Sequence, residues 1–145
     1  MTSVPDEQAV ATRSAEALWA NDRASRWLGM ELVEVSPGRA TMRMTVREDM
    51  VNGHAIGHGG LTFTLADSAF AFACNSYNRS TVAAACEIRF LLPTRLGDEL
   101  VAEAVERSRE ERDGVYDIVV RAGEKVVAEF VGRSREIRGR LFDDG

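Results

Sequence analysis

The sequence predicts an α+β domain in which an antiparallel sheet of about five to six strands packs against one long helix, with a further helix near the N-terminus. Three observations lead to this fold class. The segment 59–75 is apolar on every side, as in a buried helix. Apolar and polar residues alternate strictly over 39–47, as in a strand with one buried face. The elements follow the order helix, two strands, helix, four strands, which is typical of α+β folds.

The N-terminal half supplies a helix and a hairpin. The segment from Arg13 to Gly29 carries the mixed stripe of an amphipathic helix, and Gly29 is a suitable stop. The two strands of the hairpin follow it, and four further strand-like segments follow the central helix. Turn residues divide the strand-like segments at these places: 36–38, 93–97, 113–114 and 123–124.

The chain of 145 residues fits a single domain, which we assign to 1–145. We expect residues 1–11 to form a flexible lead-in and residues 139–145 a loose tail. The N-terminal segment lacks the basic and apolar regions of a secretory signal, and no apolar run approaches the roughly 18 residues that span a bilayer. These features predict a cytoplasmic protein that contacts no membrane.

Charge and cysteine content narrow the function classes. The net charge is −5, whereas a surface that binds nucleic acid needs a basic face. We therefore expect no nucleic-acid partner. Both cysteines, Cys74 and Cys86, lie in apolar surroundings, and without an export signal we interpret them as free buried thiols rather than as a disulfide.

A single carboxylate, Asp67, lies in the middle of the apolar helix. It is the one residue with a full charge between Met50 and Asn78. An unpaired buried carboxylate is costly and aspartate is a poor helix former, so fold stability does not explain its position. We interpret Asp67 as a general base or nucleophile, because buried carboxylates are typical of tuned catalytic groups. The alternative is a structural carboxylate that pairs with a distant arginine.

Glycines surround His58 at the start of this helix. Gly57, Gly59 and Gly60 leave backbone N–H groups unobstructed. The first N–H groups of a helix have no intrahelical acceptor and lie at the positive end of its dipole. The loop is therefore suited to polarising a carbonyl or holding an oxyanion, although a tight turn between strand and helix would need the same glycines.

The spacing of these groups predicts a dimer. Gly60 and Asp67 are seven residues apart, which is about 10.5 Å along a helix axis. A reacting carbonyl needs its hydrogen-bond donors and its attacking group within about 3–3.5 Å. One helix does not place both groups so close. Two antiparallel copies in a twofold dimer would bring the glycine loop of one chain to Asp67 of the other, so we expect composite sites.

The remaining polar residues of this region allow more than one interpretation. His54 and His58 are four residues apart, but no third ligand has a suitable spacing, so we expect no metal. Either histidine is a candidate general base or a residue that orders the loop. Asn52, beside Gly53, is either a turn residue or a donor to a carboxylate or water.

Several arginines are candidates for contacts with the phosphates of an anionic cofactor, because guanidinium groups match phosphate geometry. The mixed basic and acidic segments that contain some of them are equally typical of solvated strand ends. The candidates are Arg89, Arg95, Arg133 and Arg135.

The segment "NGHAIGHGGLTFTLADSAFAFACNS" closely resembles the central motif of hot-dog-fold acyl-CoA thioesterases of the PaaI type, which act in phenylacetate degradation. The resemblance runs from about Ala24 to Arg138 and includes "ACEIRFLLPTRLGDEL" and "GVYDIVV". It implies a curved antiparallel sheet wrapped around one long central helix. It also implies a homodimer that is commonly doubled to a tetramer.

The resemblance further implies roles for individual residues. Asp67 would be the acidic catalytic residue, and the backbone amide of Gly60 or of Gly59 would polarise the thioester carbonyl. His58 and Asn52 fall where family members place residues near the thioester and the acid.

The implied activity is hydrolysis of an aromatic acyl-CoA, foremost a hydroxylated phenylacetyl-CoA, to the free acid and coenzyme A. No metal or redox cofactor is needed, and coenzyme A enters only as part of the substrate and of the product. Some relatives carry a serine or threonine on the strand after the helix, whereas this chain has alanines at 83–85 and Thr81 as the nearest hydroxyl. The alternatives are a broad medium-chain thioesterase, a non-catalytic acyl-CoA-binding domain and, more weakly, a hydratase.

Overall fold

The computed structural model describes residues 6–143, and one antiparallel sheet of six strands forms its centre. The sheet has the strand order β1-β2-β4-β5-β6-β3. Its strands are β1 (Glu31–Ser36), β2 (Arg39–Thr45), β3 (Thr81–Phe90), β4 (Glu99–Glu110), β5 (Asp113–Ala122) and β6 (Lys125–Glu136). The helices are α1 (Glu7–Asn21), α2 (Arg23–Trp27) and α3 (Gly59–Cys74), with a 3₁₀ turn at Glu48–Met50. The predicted α+β class and number of strands are confirmed.

The central helix α3 is enclosed by the sheet, because it contacts each of the six strands. Phe70 packs against Tyr116 and Phe130, with ring centroids 5.6 and 6.1 Å apart. Apolar side chains from the inner face of the sheet complete the core, among them Met42, Met44, Leu100, Ala102, Ile118 and Val120. The predicted central helix is therefore confirmed.

The β1–β2 hairpin follows the predicted alternation. Ala40, Met42 and Met44 are buried against the core, while the residues between them lie on the outer face. The turn depends on Gly38, whose φ of 72° lies in the left-handed region that favours glycine. The tyrosine hydroxyl of Tyr77 also lies so close that a Cβ at this position would approach it to 2.9 Å. The hairpin prediction is confirmed.

The prediction of one helix over Arg13–Gly29 with a flexible lead-in at 1–11 is wrong in two respects. Two helices are present, because Asp22 ends α1 and its carboxylate then accepts the Ser25 N–H at 2.9 Å to cap α2. Helix α1 also begins at Glu7, with Asp6 as its N-cap, and Ala11 is fully buried. Residues 6–11 are thus ordered by capping and packing, and residues 1–5 lie outside the described residues.

The tail and one turn also differ from the predictions. The side chain of Asn78 accepts the N–H groups of Leu141 and Phe142, each at 3.0 Å, and donates to the Phe142 carbonyl. Residues 139–143 are therefore attached rather than loose, while 144–145 lie outside the described residues. The β4–β5 turn falls at Glu111, with a φ of 54°, so the Asp113-Gly114 pair begins β5 instead of forming the turn.

Both cysteines are free, as predicted. Cys74 is buried at the end of α3, and Cys86 is half-buried on β3. Burial raises the pKa of the Cys74 thiol to about 12, so this thiol is protonated and unreactive at neutral pH. Within residues 6–143 no helix is long and apolar enough to cross a membrane.

The packing of Phe70 on β6 leads to a prediction about stability. Gly132 faces the ring, and a Cβ at this position would lie 2.7–2.8 Å from three of its atoms. Because Phe70 is fully buried, it has no room to move aside. We expect Gly132→Ala to lower the free energy of unfolding by about 1–3 kcal/mol, measured by urea denaturation at equal protein concentration.

The matched control is Gly53→Ala, since among residues 6–143 only Gly53 itself and its two chain neighbours have atoms within 4 Å of a Cβ at this position. Equal unfolding midpoints for the two variants would contradict the packing described for Phe70.

Candidate active site

Hydrogen bonds hold the loop before α3, at Gly57 and His58, to Met50 on one side and to Thr94 on the other. The His58 N–H donates to the Met50 carbonyl at 2.7 Å, and the Gly57 N–H donates to the Thr94 carbonyl at 2.9 Å. A Cβ at Gly57 would collide with Thr94 Oγ1, so only glycine allows this contact. A short bridge between Ile56 and Arg95 completes the attachment. These contacts set the position at which α3 begins.

Asn52 orders the same loop. Its side-chain carbonyl Oδ1 accepts the N–H groups of His54 and Ile56 at 2.9 and 3.2 Å. This arrangement corresponds to the turn interpretation of Asn52, in which a short polar side chain replaces a backbone acceptor. His54 itself is exposed in the turn.

His58 is the N-cap of α3. Its ring nitrogen Nδ1 accepts the N–H of Gly60 at 3.0 Å, so this nitrogen is unprotonated in the capped geometry. The Gly60 amide therefore has an acceptor within the chain. The N–H of Gly59 has none among the described residues. Of the two amides that the resemblance implies, Gly59 is the one available to a ligand at the positive end of α3.

The Gly59 amide borders an apolar groove of about 300 Å³. Phe90 forms one wall, and its ring is so close to Gly59 that a Cβ there would lie 3.1 Å from Phe90 Cζ. Asn52 and Thr94 also line the groove. Sequence reasoning missed Phe90 and Thr94, although "FLLP" places three large apolar residues at the end of a strand, where the structure exposes them.

Asp67 occupies a different part of α3. Its carboxylate is half-buried and forms no hydrogen bond or ion pair with any of residues 6–143. The structure thus shows no arginine partner of the kind that a purely structural role would require. Burial raises the pKa of Asp67 above its ordinary value. Burial, and after it the negative charge of Asp67, raises the pKa of the Cys86 thiol on β3.

The unpaired carboxylate predicts a pH-dependent effect on stability. Because the folded state raises the pKa of Asp67, ionisation costs the native protein stability as the pH rises above the unfolded value of about 3.9. Asp67→Asn avoids this cost. We expect the variant to unfold at higher urea concentration than the wild type at pH 7, with a difference that shrinks as the pH falls towards 4. A difference independent of pH would contradict an uncompensated carboxylate.

The structure does not bring Asp67 to Gly59 within one chain. Helix α3 is continuous from Gly59 to Cys74, so the two residues are eight positions, or about 12 Å, apart along its axis. Asp67 does not line the groove that borders Gly59. The separation expected from the sequence is therefore present.

The side of α3 that carries Asp67 is less covered than the rest of the helix. Thr64, Asp67 and Ala71 are half-buried there, and Gly60 is exposed. The neighbouring strand β3 lies at the edge of the sheet and exposes apolar residues, including Val82 and the alanines at 83–85. An open helix stripe and an apolar sheet edge thus lie side by side.

The three arginines proposed as phosphate ligands do not come together. In the register of the β3–β6 ladder, Arg89 lies opposite Glu129 and Arg133 lies opposite Ala85. Both arginine side chains lie on the sheet face away from α3. Arg95 is exposed in the loop after β3. The structure therefore gathers none of them into a common pocket. Arg135 forms an exposed ion pair with Asp113.

Comparison with known proteins identifies the family. The model of the Thioesterase superfamily matches residues 54–129, a span that includes the His58 cap, the Gly59 amide and Asp67. The chain belongs to the thioesterase superfamily. It is similar to acyl-coenzyme A thioesterase PaaI of Escherichia coli K12, with 44% identity over 110 residues that cover 76% of this chain and 79% of the relative.

Solved structures confirm the hot-dog fold of this superfamily member. The structure of the E. coli PaaI protein from the phenylacetic acid degradation operon matches with a TM-score of 0.91 and 42% identity, covering 93% of this chain and 99% of that one. A structure of phenylacetic acid degradation protein PaaI from Thermus thermophilus matches with a TM-score of 0.78 and 34% identity. The match covers 80% of this chain and 100% of that one. Both structural matches extend well beyond residues 54–129, the span that the family model matches.

Proposed function

We propose that this chain hydrolyses acyl-CoA thioesters, with Asp67 as the catalytic carboxylate and the Gly59 N–H as the donor to the thioester carbonyl. One observation carries the proposal: the motif shared with the thioesterase superfamily holds both an amide without an acceptor and a carboxylate without a partner among residues 6–143. The E. coli relative at 44% identity is an acyl-CoA thioesterase, which supports the same activity here.

The chemistry follows from these two groups. The Gly59 N–H, at the positive end of α3, stabilises the negative charge that develops on the carbonyl oxygen. Asp67 either removes a proton from the attacking water or attacks the acyl carbon itself. In the first route the water oxygen bonds to the acyl carbon as the C–S bond breaks. In the second a mixed anhydride forms and water then cleaves it. The thiolate leaves as coenzyme A and takes up a proton.

A homodimer would supply both groups to one substrate. The 12 Å separation of Gly59 and Asp67 within a chain, the open stripe of α3 and the apolar edge of β3 all support two copies packed antiparallel. In that arrangement Gly59 of one copy faces Asp67 of the other. Doubling of this dimer to a tetramer is part of the proposal and is measurable by light scattering.

The acyl group is proposed to be aromatic, foremost hydroxyphenylacetyl. The groove beside Gly59 supports an apolar acyl chain, because Phe90, Leu91 and Leu92 line it. The E. coli and T. thermophilus relatives are named for phenylacetic acid degradation, which supports phenylacetyl derivatives over other apolar groups.

The test is coenzyme A release from a panel of thioesters at equal enzyme concentration. We expect the highest kcat/KM with 4-hydroxyphenylacetyl-CoA or phenylacetyl-CoA and lower values with octanoyl-CoA and acetyl-CoA. A preference for octanoyl-CoA would replace the aromatic assignment with a broad medium-chain thioesterase. Tight binding of all four thioesters without turnover would overturn the catalytic proposal in favour of an acyl-CoA-binding domain.

A further inference from the structure

A basic cleft lies where β6 ends and β3 begins. It has a volume of about 370 Å³, and four arginines line it: Arg79, Arg112, Arg138 and Arg140. Glu136 is the one acidic residue among its lining residues. The chain as a whole has a net charge of −5, so this concentration of positive charge is local. Clefts with walls of one charge sign attract ligands of the opposite sign.

The cleft is built from three separate chain segments that backbone hydrogen bonds hold together. The Ile137 N–H donates to the Ser80 carbonyl at 2.8 Å, and the Ser80 N–H donates to the Gly139 carbonyl at 3.0 Å. The Glu136 N–H donates to the Arg112 carbonyl at 2.7 Å. These bonds fix the backbone that carries the arginines, so a bound anion would require little ordering of the chain.

One ion pair also orients a guanidinium at the rim. Arg79 lies 3.2 Å from Glu136 Oε1, with the arginine side chain 65% exposed. Because the pair is exposed, it contributes little to stability and leaves most of the guanidinium donors accessible to a ligand. Arg112 and Arg138 are exposed beside it.

The position of the cleft relative to Asp67 is defined by the end of α3. The Asn75 side chain donates to the Thr81 carbonyl and accepts the Thr81 N–H, which ties the C-terminal end of α3 to the start of β3. The cleft is therefore at the opposite end of α3 from Gly59. Asp67 lies between them, about 10.5 Å from Cys74 along the helix axis.

In the proposed antiparallel dimer, the C-terminal end of each α3 lies beside the N-terminal end of the other. The arginine cleft of one copy is then on the same side of its Asp67 as the Gly59 loop of the second copy. A ligand bound between these two groups can extend from the reacting centre towards the arginines.

We propose that this cleft binds the phosphates at the nucleotide end of a coenzyme A thioester, an inference that rests on the proposed function. The 3′-phosphate and the diphosphate of coenzyme A carry several negative charges, and guanidinium groups bind such oxygens bidentately. The pantetheine arm separates these phosphates from the thioester, so their site must lie away from Asp67. The cleft meets this requirement, whereas Arg89 and Arg133 lie on the outer sheet face.

The kinetic test compares two thioesters of the same acyl group, one with coenzyme A and one with N-acetylcysteamine, which has no phosphates. We expect the double variant Arg112→Gln and Arg138→Gln to raise KM for the coenzyme A thioester at least about 10-fold with kcat little changed. Kinetics with the truncated thioester should stay as in the wild type. The matched control is Arg89→Gln with Arg133→Gln, which changes charge equally on the outer face. Equal effects of the two double variants would overturn the inference.

A binding experiment separates this inference from the proposed function. Adenosine 3′,5′-bisphosphate is titrated calorimetrically into the wild type and into both double variants. Weaker binding confined to the cleft variant supports the inference even if no thioester is hydrolysed, in which case only the proposed activity fails. An active wild type whose cleft variant binds the nucleotide unchanged leaves the activity standing and overturns the cleft assignment.

Discussion

Asp67→Asn is expected to lower kcat for acyl-CoA hydrolysis at least about 100-fold, with KM and oligomeric state unchanged. Asparagine has nearly the shape of aspartate but is neither a useful base nor a nucleophile at neutral pH. Because Asp67 forms no hydrogen bond or ion pair with any of residues 6–143, the substitution removes none. The measurement is thiol release from 4-hydroxyphenylacetyl-CoA at saturating concentration.

Ser68→Ala provides the neighbouring control. Its hydroxyl lies on the same helix, 2.8 Å from Ser25 Oγ, and has no proposed part in the reaction. If Asp67→Asn kept more than a tenth of the wild-type kcat, the carboxylate would not be the group that carries the chemistry.

Gly59→Pro is expected to lower kcat by about 10²–10³-fold, the usual effect of removing one oxyanion donor. The substitution removes the N–H of residue 59, and the first turn of α3 can accommodate proline at this position. Gly59 is the first residue of α3, where proline is favoured, and His58 before it has an extended backbone with φ −62° and ψ 127°. Both restrictions that proline imposes are therefore already met.

Gly59→Ala is the matched control, because it keeps the N–H and adds the same Cβ near Phe90. That ring is 56% exposed and has room to shift by the few tenths of an ångström required. We expect Gly59→Ala to keep most of the wild-type kcat. Equal losses in the two variants would show that crowding at Phe90, rather than the missing donor, causes the effect.

Much of the fold is predictable because it depends on local patterns. The alternation over 39–47 places one face of β2 in the core, and a helix without a polar face must be enclosed. Asp67 stands out for the same reason, as one charge in an apolar helix. The break of the N-terminal helix has a weaker signal in the sequence: aspartate is a favoured N-cap residue, but the amphipathic stripe over 13–29 obscures Asp22 in that role.

Other parts of the site depend on contacts that the sequence does not show. Which of two adjacent amides is available to a ligand depends on the rotamer of His58, and histidine is not among the usual capping residues. The arginine cleft joins residues 79, 112, 138 and 140 from three separate segments, so no local motif reveals it. Arg89 and Arg133, which the sequence predicts as phosphate ligands, lie on the outer face because strand alternation directs them there.

The central claim is that each site combines Gly59 of one copy with Asp67 of another, and subunit complementation tests it most directly. Chains carrying Asp67→Asn and chains carrying Gly59→Pro, each with a different affinity tag, are co-expressed, and the heterodimer is purified through both tags. Composite sites predict that this heterodimer regains activity, because one of its two sites joins an intact Gly59 with an intact Asp67. We expect about half the wild-type kcat per dimer. A heterodimer as inactive as the two parent variants would contradict the composite site.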